Sequence, residues 1–383
     1  KTGKVKNRYH LSEPQYGIAY FGKSVKGYEF ILMNKKVIGV GLAAVAVLSL
    51  AACGSRDKST GSAKAKTDLT VAIITDTGGV DDKSFNQSSW EGLQAWGKAN
   101  NLSKDKGYTY FQSASESDYA TNLDSAVSGG YKLIYGIGFA LHNAISEAAK
   151  NNADINYVLI DDVIEGQKNV ASATFRDQEA AYLAGVAAAK TTKTKIVGFV
   201  GGMKGEVIDR FEAGFVAGVK SVDESIKIDI QYAGSFGDAA KGQTIAAAQY
   251  AAGADIIFHA SGGTGNGVFA AAKAENETRN EADKVWVIGV DRDQSAEGAY
   301  TSKDGKESNF VLASTLKQVG AAVKDIATKA ENGEFPGGEI VRYTLADKGV
   351  ELAETNLSDD AAKAVADAKQ AILDGKIEVP EKP

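Results

Sequence analysis

The chain has 383 residues with 43 Lys+Arg against 49 Asp+Glu, and its net charge of −6 is spread without a basic stripe. Nucleic acid and acidic polymers are therefore poor partner candidates. One cysteine and three histidines exclude an internal disulfide and leave no Cys/His cluster for a structural zinc.

Residues 1–32 form an unpatterned mixture of Lys, Tyr and Gly ahead of Met33, read as a non-native extension from a misplaced start rather than a cytoplasmic extension, and left out of the fold. Residues 33–52 have the order of an export signal: cationic Lys35 and Lys36, an apolar run from Val37 to Leu50, then the small residues Ala51 and Ala52. The run falls short of the roughly 20 apolar residues of a membrane span and is followed at once by polar chain. Leu50-Ala51-Ala52-Cys53 resembles the lipobox of bacterial lipoproteins, which implies a diacylated Cys53 and a membrane-tethered, extracytoplasmic protein. Two acyl chains meet the requirement for stable anchoring. Residues 53–67 then read as the lipidated cysteine and a flexible Ser/Thr/Lys/Gly tether.

From Asp68 onward there is enough chain for two domains, each with its own core. Short β-branched runs alternate with alanine-rich helical patterns, the signature of βαβ units and a parallel sheet. Strands are predicted at 69–74, 109–111, 132–137, 156–160, 196–200, 227–232, 255–259, 285–290, 310–314 and 340–344. Helices are predicted at 86–100, 119–128, 139–151, 177–189, 207–221, 239–252 and 267–277, with one more ending near 331. Two sets meet near Ala173, and the trailing helix and strand suggest a chain that returns to the first domain and crosses back. The expected lobes are 68–172 with 316–334, and 173–315 with 335–383. Strands of open α/β sheets present ligands at their carboxyl ends. An interdomain cleft lined by strand-end residues is therefore expected.

Three of those ends carry unusual chemistry. Thr75-Asp76-Thr-Gly-Gly-Val-Asp81-Asp82-Lys-Ser84-Phe85-Asn86 leads into a helix. Ser84 or Asn86 is a candidate cap, Asp81 and Asp82 read as capping or surface residues, and Phe85 reads either as a staple on the helix or as a stacking face for a ligand. His259-Ala-Ser-Gly262-Gly263-Thr-Gly265-Asn-Gly267 forms either a tight turn or a backbone-amide cradle. Gly265, Gly267 and Ala270 also fit a weak dinucleotide pattern with Asp291 beyond the next strand. Lys317 is placed at the start of a helix, where the dipole opposes it; it is either a solvated surface residue, or a donor to a ligand hydroxyl or a partner for Asp291. No G-x-S-x-G, H-E-x-x-H or assignable carboxylate pair points to catalysis, and no cofactor is implied.

Together Leu-Ala-Ala-Cys53, Asp81-Asp-Lys-Ser-Phe-Asn86, Gly262-Gly-Thr-Gly-Asn-Gly267, Gly289-Val-Asp291 and Ser314-Thr-Leu-Lys317 resemble the basic membrane protein family of bacterial lipoproteins, of the purine nucleoside receptor A type. The resemblance runs from Met33 to the end. It implies an α/β, type I periplasmic-binding-protein fold of two doubly wound parallel-sheet lobes with a three-crossover hinge. It also implies a monomeric, non-enzymatic receptor that hands purine nucleosides (guanosine, adenosine, inosine) to the permease of an ABC importer. By position, Asp76 and Asp162 look like polar contacts to the base, with Asn86 a weaker candidate, and Phe85 like one stacking face. His259 stands where the family uses an aromatic, Gly262 and Gly263 look like backbone contacts, and Asp291 and Lys317 look like the ribose pair. Other readings are a binding protein for a sugar or another small polar metabolite, a surface interaction lipoprotein, or a nucleoside-cleaving or dinucleotide-dependent enzyme.

Overall fold

Two six-stranded sheets, each with helices on both faces, make up the computed structural model, which describes residues 64–383. The extension, the export signal and Cys53 lie outside the described residues. The first sheet is ordered β2 (Tyr108–Phe111), β1 (Val71–Ile74), β3 (Leu133–Ile137), β4 (Asn156–Ile160), β5 (Val170–Phe175) and β13 (Ile340–Tyr343), all parallel. The second is ordered β7 (Lys227–Tyr232), β6 (Ile196–Gly201), β8 (Ile256–Ala260), β9 (Trp286–Gly289), β12 (Val311–Lys317) and β14 (Val350–Glu354), with only β14 antiparallel. A small antiparallel pair, β10 (Ala299–Thr301) and β11 (Glu307–Asn309), sits beside the second.

The central strands read VAII, LIYGI, NYVLI and IIFHA and are buried nearly throughout, as parallel strands covered on both faces must be. Helices α1 (Phe85–Ala99), α2 (Asp118–Ser128) and α3 (His142–Asn151) cover the first sheet, and α5 (Glu206–Val222), α6 (Ala239–Ala251) and α7 (Gly265–Glu277) cover the second. Helix α1 does so with Trp90, Leu93, Trp96 and Gly97 at helical spacing. Helix α4 (Asp177–Thr191) is buried from Asp177 to Ala188 and contributes to the cores of both lobes, which its alanine-rich, two-sided surface permits. Helix α9 (Asp359–Leu373) packs against it.

The chain crosses between sheets after β5, after β12 and after β13. The second crossing leads into α8 (Val319–Glu331), which returns to α1: a Cβ on Gly92 would lie 2.1 Å from the Gly320 carbonyl oxygen, so the two backbones meet where no side chain fits. The lobe limits differ from the sequence expectation in three places: residue 173 falls inside β5, which belongs wholly to the first sheet, residues 316 and 317 end β12 of the second sheet, and strand 340–343 joins the first sheet. Strand β5 went unread because its Val-Ala-Ser-Ala-Thr-Phe sequence lacks a dense β-branched run. Strand β14 and helix α9 were also not foreseen.

Candidate functional site

The carboxyl ends of both sheets face one cavity lined by residues of both lobes, the place where open α/β sheets bind their ligands. Asp76, Phe139, Asp161, Ser261, Gly262, Asp291 and Lys317 reach it from just beyond, or at, the ends of β1, β3, β4, β8, β9 and β12. Phe85 and Asn86 enter from the first turn of α1, Phe211 from α5 and Phe236 from the loop after β7. The two sheets have matching strand orders, and β4 and β9 occupy equivalent places in them. Asp161 and Asp291 follow these strands with φ of 73° and 67°, a left-handed conformation that aspartate tolerates better than most residues. Each lobe thus offers one carboxylate at the same topological position.

The lobes are closed on one another. The Lys317 ammonium donates to Asp161 Oδ2 at 2.7 Å and lies 3.1 Å from Asp177 Oδ1, with the rings of Phe85, Phe175 and Phe211 at 5.3, 5.0 and 5.6 Å. Ser84 donates its hydroxyl to Asp291 Oδ2, and Gln294 Nε2 donates to the Lys83 carbonyl at 3.0 Å. Lys83 pairs with Glu297 and Arg292 with Glu91 nearer the rim.

Asp82 holds the entry to α1, as a capping role requires: its carboxylate accepts from the backbone N–H groups of Ser84, Asn86 and Gln87 at 2.8, 2.8 and 3.0 Å. Ser84 occupies the cap position without capping, because its hydroxyl is turned to the other lobe. Asn86 Nδ2 bridges Asp82 at 2.9 Å and Asp76 at 2.7 Å. Asn86 Oδ1 and Asp161 Oδ1 are buried without a partner in the protein. Such atoms are costly to leave unpaired and suit a polar ligand.

Burial pushes the Asp76 carboxyl up to about 6, against the backbone N–H of Gly78 and the Asn86 amide, which favour its charged form. Burial likewise raises Asp291 to about 7, although Lys317 and Ser84 oppose the shift. Asp161 is raised by burial too, with Lys317 pulling it back. Burial alone would lower Lys317, but Asp161, Asp177 and Asp291 outweigh it and hold the ammonium charged.

Four expectations are corrected. Asp162 does not line the cavity: it is partly exposed, pairs with His142 Nδ1 at 2.7 Å, and leaves the strand-end role to Asp161. His259 is not a stacking face but a fully buried ring held by Ser261 Oγ at 3.2 Å and Gln294 Oε1 at 2.9 Å, with burial lowering it to about 4. The glycine turn is mainly steric: a Cβ on Gly265 would meet the His259 ring at 2.1 Å, and one on Gly267 would meet the Ala239 carbonyl of α6 at 1.8 Å. Gly262 lines the cavity and Gly263 does not. Lys317 ends β12 rather than opening a helix, and its direct ionic partners are Asp161 and Asp177, not Asp291.

The placement of Asp76, Phe85, Asn86, Gly262, Asp291 and Lys317 around one cavity agrees with the sequence reading. Phe139, Asp161 and Ser261 are among the strand-end residues expected to line the cleft, without an assigned contact, while Phe211 and Phe236 lie outside that expectation. Phe236, an aromatic in the polar Gly234-Ser-Phe-Gly-Asp238 loop, carries the same signal that marked Phe85.

The sequence profile described as ABC transporter substrate-binding protein PnrA-like matches residues 69–383, across both lobes. The chain belongs to this family. It is a family of solute-binding proteins rather than enzymes. The ABC transporter nucleoside-binding protein BmpA of Lactococcus lactis subsp. cremoris is 62% identical over 91% of this chain and 100% of its own length. The CD4+ T-cell-stimulating antigen of Listeria monocytogenes is 52% identical over 92% and 100%, and basic membrane protein A of Borreliella burgdorferi 32% over 91% and 96%. Among solved structures, an ABC transporter solute-binding protein from Aeropyrum pernix K1 superposes with a TM-score of 0.71 at 25% identity, covering 82% of this chain and 94% of that one. No helix among the described residues is long and apolar enough to cross a membrane.

Proposed function

We propose that the protein captures a purine nucleoside (guanosine, adenosine or inosine) between its lobes and delivers it to the permease of an ABC importer, as a monomer without catalysis of its own. The observation that carries this reading is the interlobe cavity, in which aromatic rings accompany carboxylates from both lobes. A purine needs flat apolar faces and a few edge hydrogen bonds, and ribose hydroxyls suit carboxylate acceptors. Phe85 supplies a face from the first lobe, and Phe211 or Phe236 supplies the opposing one in place of His259. Asp76, Asn86 and Asp161 address the base edge, while Asp291, Lys317 and the Gly262 backbone address the ribose. The nucleoside-binding name of the Lactococcus relative supports the ligand class.

Anchoring through a diacylated Cys53 on the outer face of the cell membrane belongs to the same reading and rests on the lipobox resemblance. Calorimetric titration of protein stripped of ligand by unfolding and refolding, against nucleosides, free bases, ribose and other sugars, tests it. Tight one-to-one nucleoside binding that Phe85→Ala weakens strongly is expected. Preference for a free sugar, or an unchanged affinity in Phe85→Ala, would overturn the purine assignment.

A further inference from the structure

One hydrogen-bond chain at the cavity wall has a fixed direction. Gln294 Oε1 accepts from the backbone N–H of Val290 at 2.9 Å, and Gln294 Nε2 donates to the backbone carbonyl of Lys83 at 3.0 Å. One neighbour can only donate and the other can only accept, so the orientation of this amide is determined. His259 Nε2 lies 2.9 Å from the same Oε1 and must carry the proton. The ring is fully buried, its hydrogen-bond partners are an amide and a hydroxyl, and its aromatic neighbour is Phe269, in a T-shaped arrangement. With no carboxylate in contact to hold a second proton, the imidazole is neutral and Nδ1 is a bare acceptor. Ser261 Oγ, 3.2 Å from Nδ1, therefore spends its only proton on the histidine.

We infer that His259 and Gln294 are positioning residues that make Ser261 a pure acceptor at the cavity wall, where it takes a hydrogen bond from a ligand hydroxyl and offers nothing to a ligand carbonyl or unprotonated ring nitrogen, which can only accept. Ser261 follows β8, and β8 pairs with β9, whose end carries Asp291. Two acceptors then stand side by side on the second lobe, the arrangement that selects a polyol over its deoxy analogues. The chain ends on the Lys83 carbonyl of the first lobe, so the same residues that set this polarity are tied to the closed state.

The inference rests on the nucleoside reading for the identity of the hydroxyl, but the proton positions do not. Nitrogen-15 NMR of the histidine-labelled full chain near neutral pH should show His259 neutral with its proton on Nε2. A proton on Nδ1, or a charged ring, overturns the inference whatever the ligand. Titration of wild type and Ser261→Ala with a nucleoside and its 2′-, 3′- and 5′-deoxy forms supplies the second readout. Ser261→Ala should lose about five- to tenfold in affinity, the worth of one neutral hydrogen bond, and one deoxy form should bind both proteins equally. A loss of equal size for every analogue refutes the acceptor role. Failure of wild type to bind any nucleoside refutes instead the reading of the ligand, and the NMR result still decides the proton positions.

Discussion

Replacing Lys317 by Met tests whether one buried cation holds the lobes and the site together. The ammonium is 3% exposed and its ionic partners Asp161 and Asp177 are 5% and 0% exposed, so solvent cannot take over its work. Asp177 keeps Arg210, whose Nε and Nη2 lie 3.2 and 3.1 Å from its Oδ2. Among the described residues Asp161 keeps no cation in contact, with Arg210 acting on it only from farther away. Removing one partner of a buried pair costs about 3–5 kcal/mol, and the retained Arg210 pair places the expected loss near the lower end. Asp161 is already raised by burial and would rise further without Lys317. A carboxyl whose folded pKa exceeds its unfolded one binds more protons when folded, so stability falls as pH climbs from the unfolded to the folded value. The deficit of Lys317→Met should therefore be small in mild acid and full on the alkaline side. Urea denaturation across that range, with Lys317→Met/Asp161→Asn as the control, is the assay. A loss under about 1 kcal/mol on the alkaline side, against the magnitude expected for a buried pair, or no recovery in the double variant, would refute the reasoning.

Asp76 and Asp291 sit near 6 and 7 because of burial. Donor ligands favour their ionised forms, so affinity should strengthen as pH rises through 6–7 and Asp291→Asn should flatten that profile; an unchanged slope in calorimetry would count against the Asp291 contact. For the free protein the same raised values remove stability as pH rises from 3.8 toward 7, measurable by denaturation. Asp82→Ala strips the cap from α1 and should cost about 2 kcal/mol, with Asp82→Asn costing less; equal losses in the two variants would deny the cap its role. Gly267→Ala should destabilise by about 1–3 kcal/mol through overpacking of α7 on α6 while leaving nucleoside affinity in the surviving folded protein unchanged, whereas a ligand cradle at Gly267 would show itself as lost affinity.

The local periodicities of the chain determined much of the architecture. The apolar run 156–160 coincides with β4, buried from Tyr157 to Ile160, because a parallel strand covered on both faces has little freedom in composition, and the alternating run 227–232 coincides with the partly exposed edge strand β7. Aspartates directly after apolar strands marked the cleft for the same reason: a carboxylate there has no place in a core. Placement was legible at Phe85 and Asp291, both of which line the cavity, whereas among the cap candidates ahead of α1 it is Asp82 and not Ser84 that caps. What the sequence could not decide was which of two adjacent residues faces the cavity. Asp161 and Asp162 are equivalent in any sequence pattern, and only the left-handed turn at Asp161 sends one toward Lys317 and the other toward His142. Likewise a histidine among glycines suggests a ligand contact until Gln294, 35 residues away, occupies its ring nitrogen. Such assignments depend on contacts between distant segments, within one lobe for His259 and Gln294 and across the two lobes for Asp161 and Lys317, and those exist only in the folded chain.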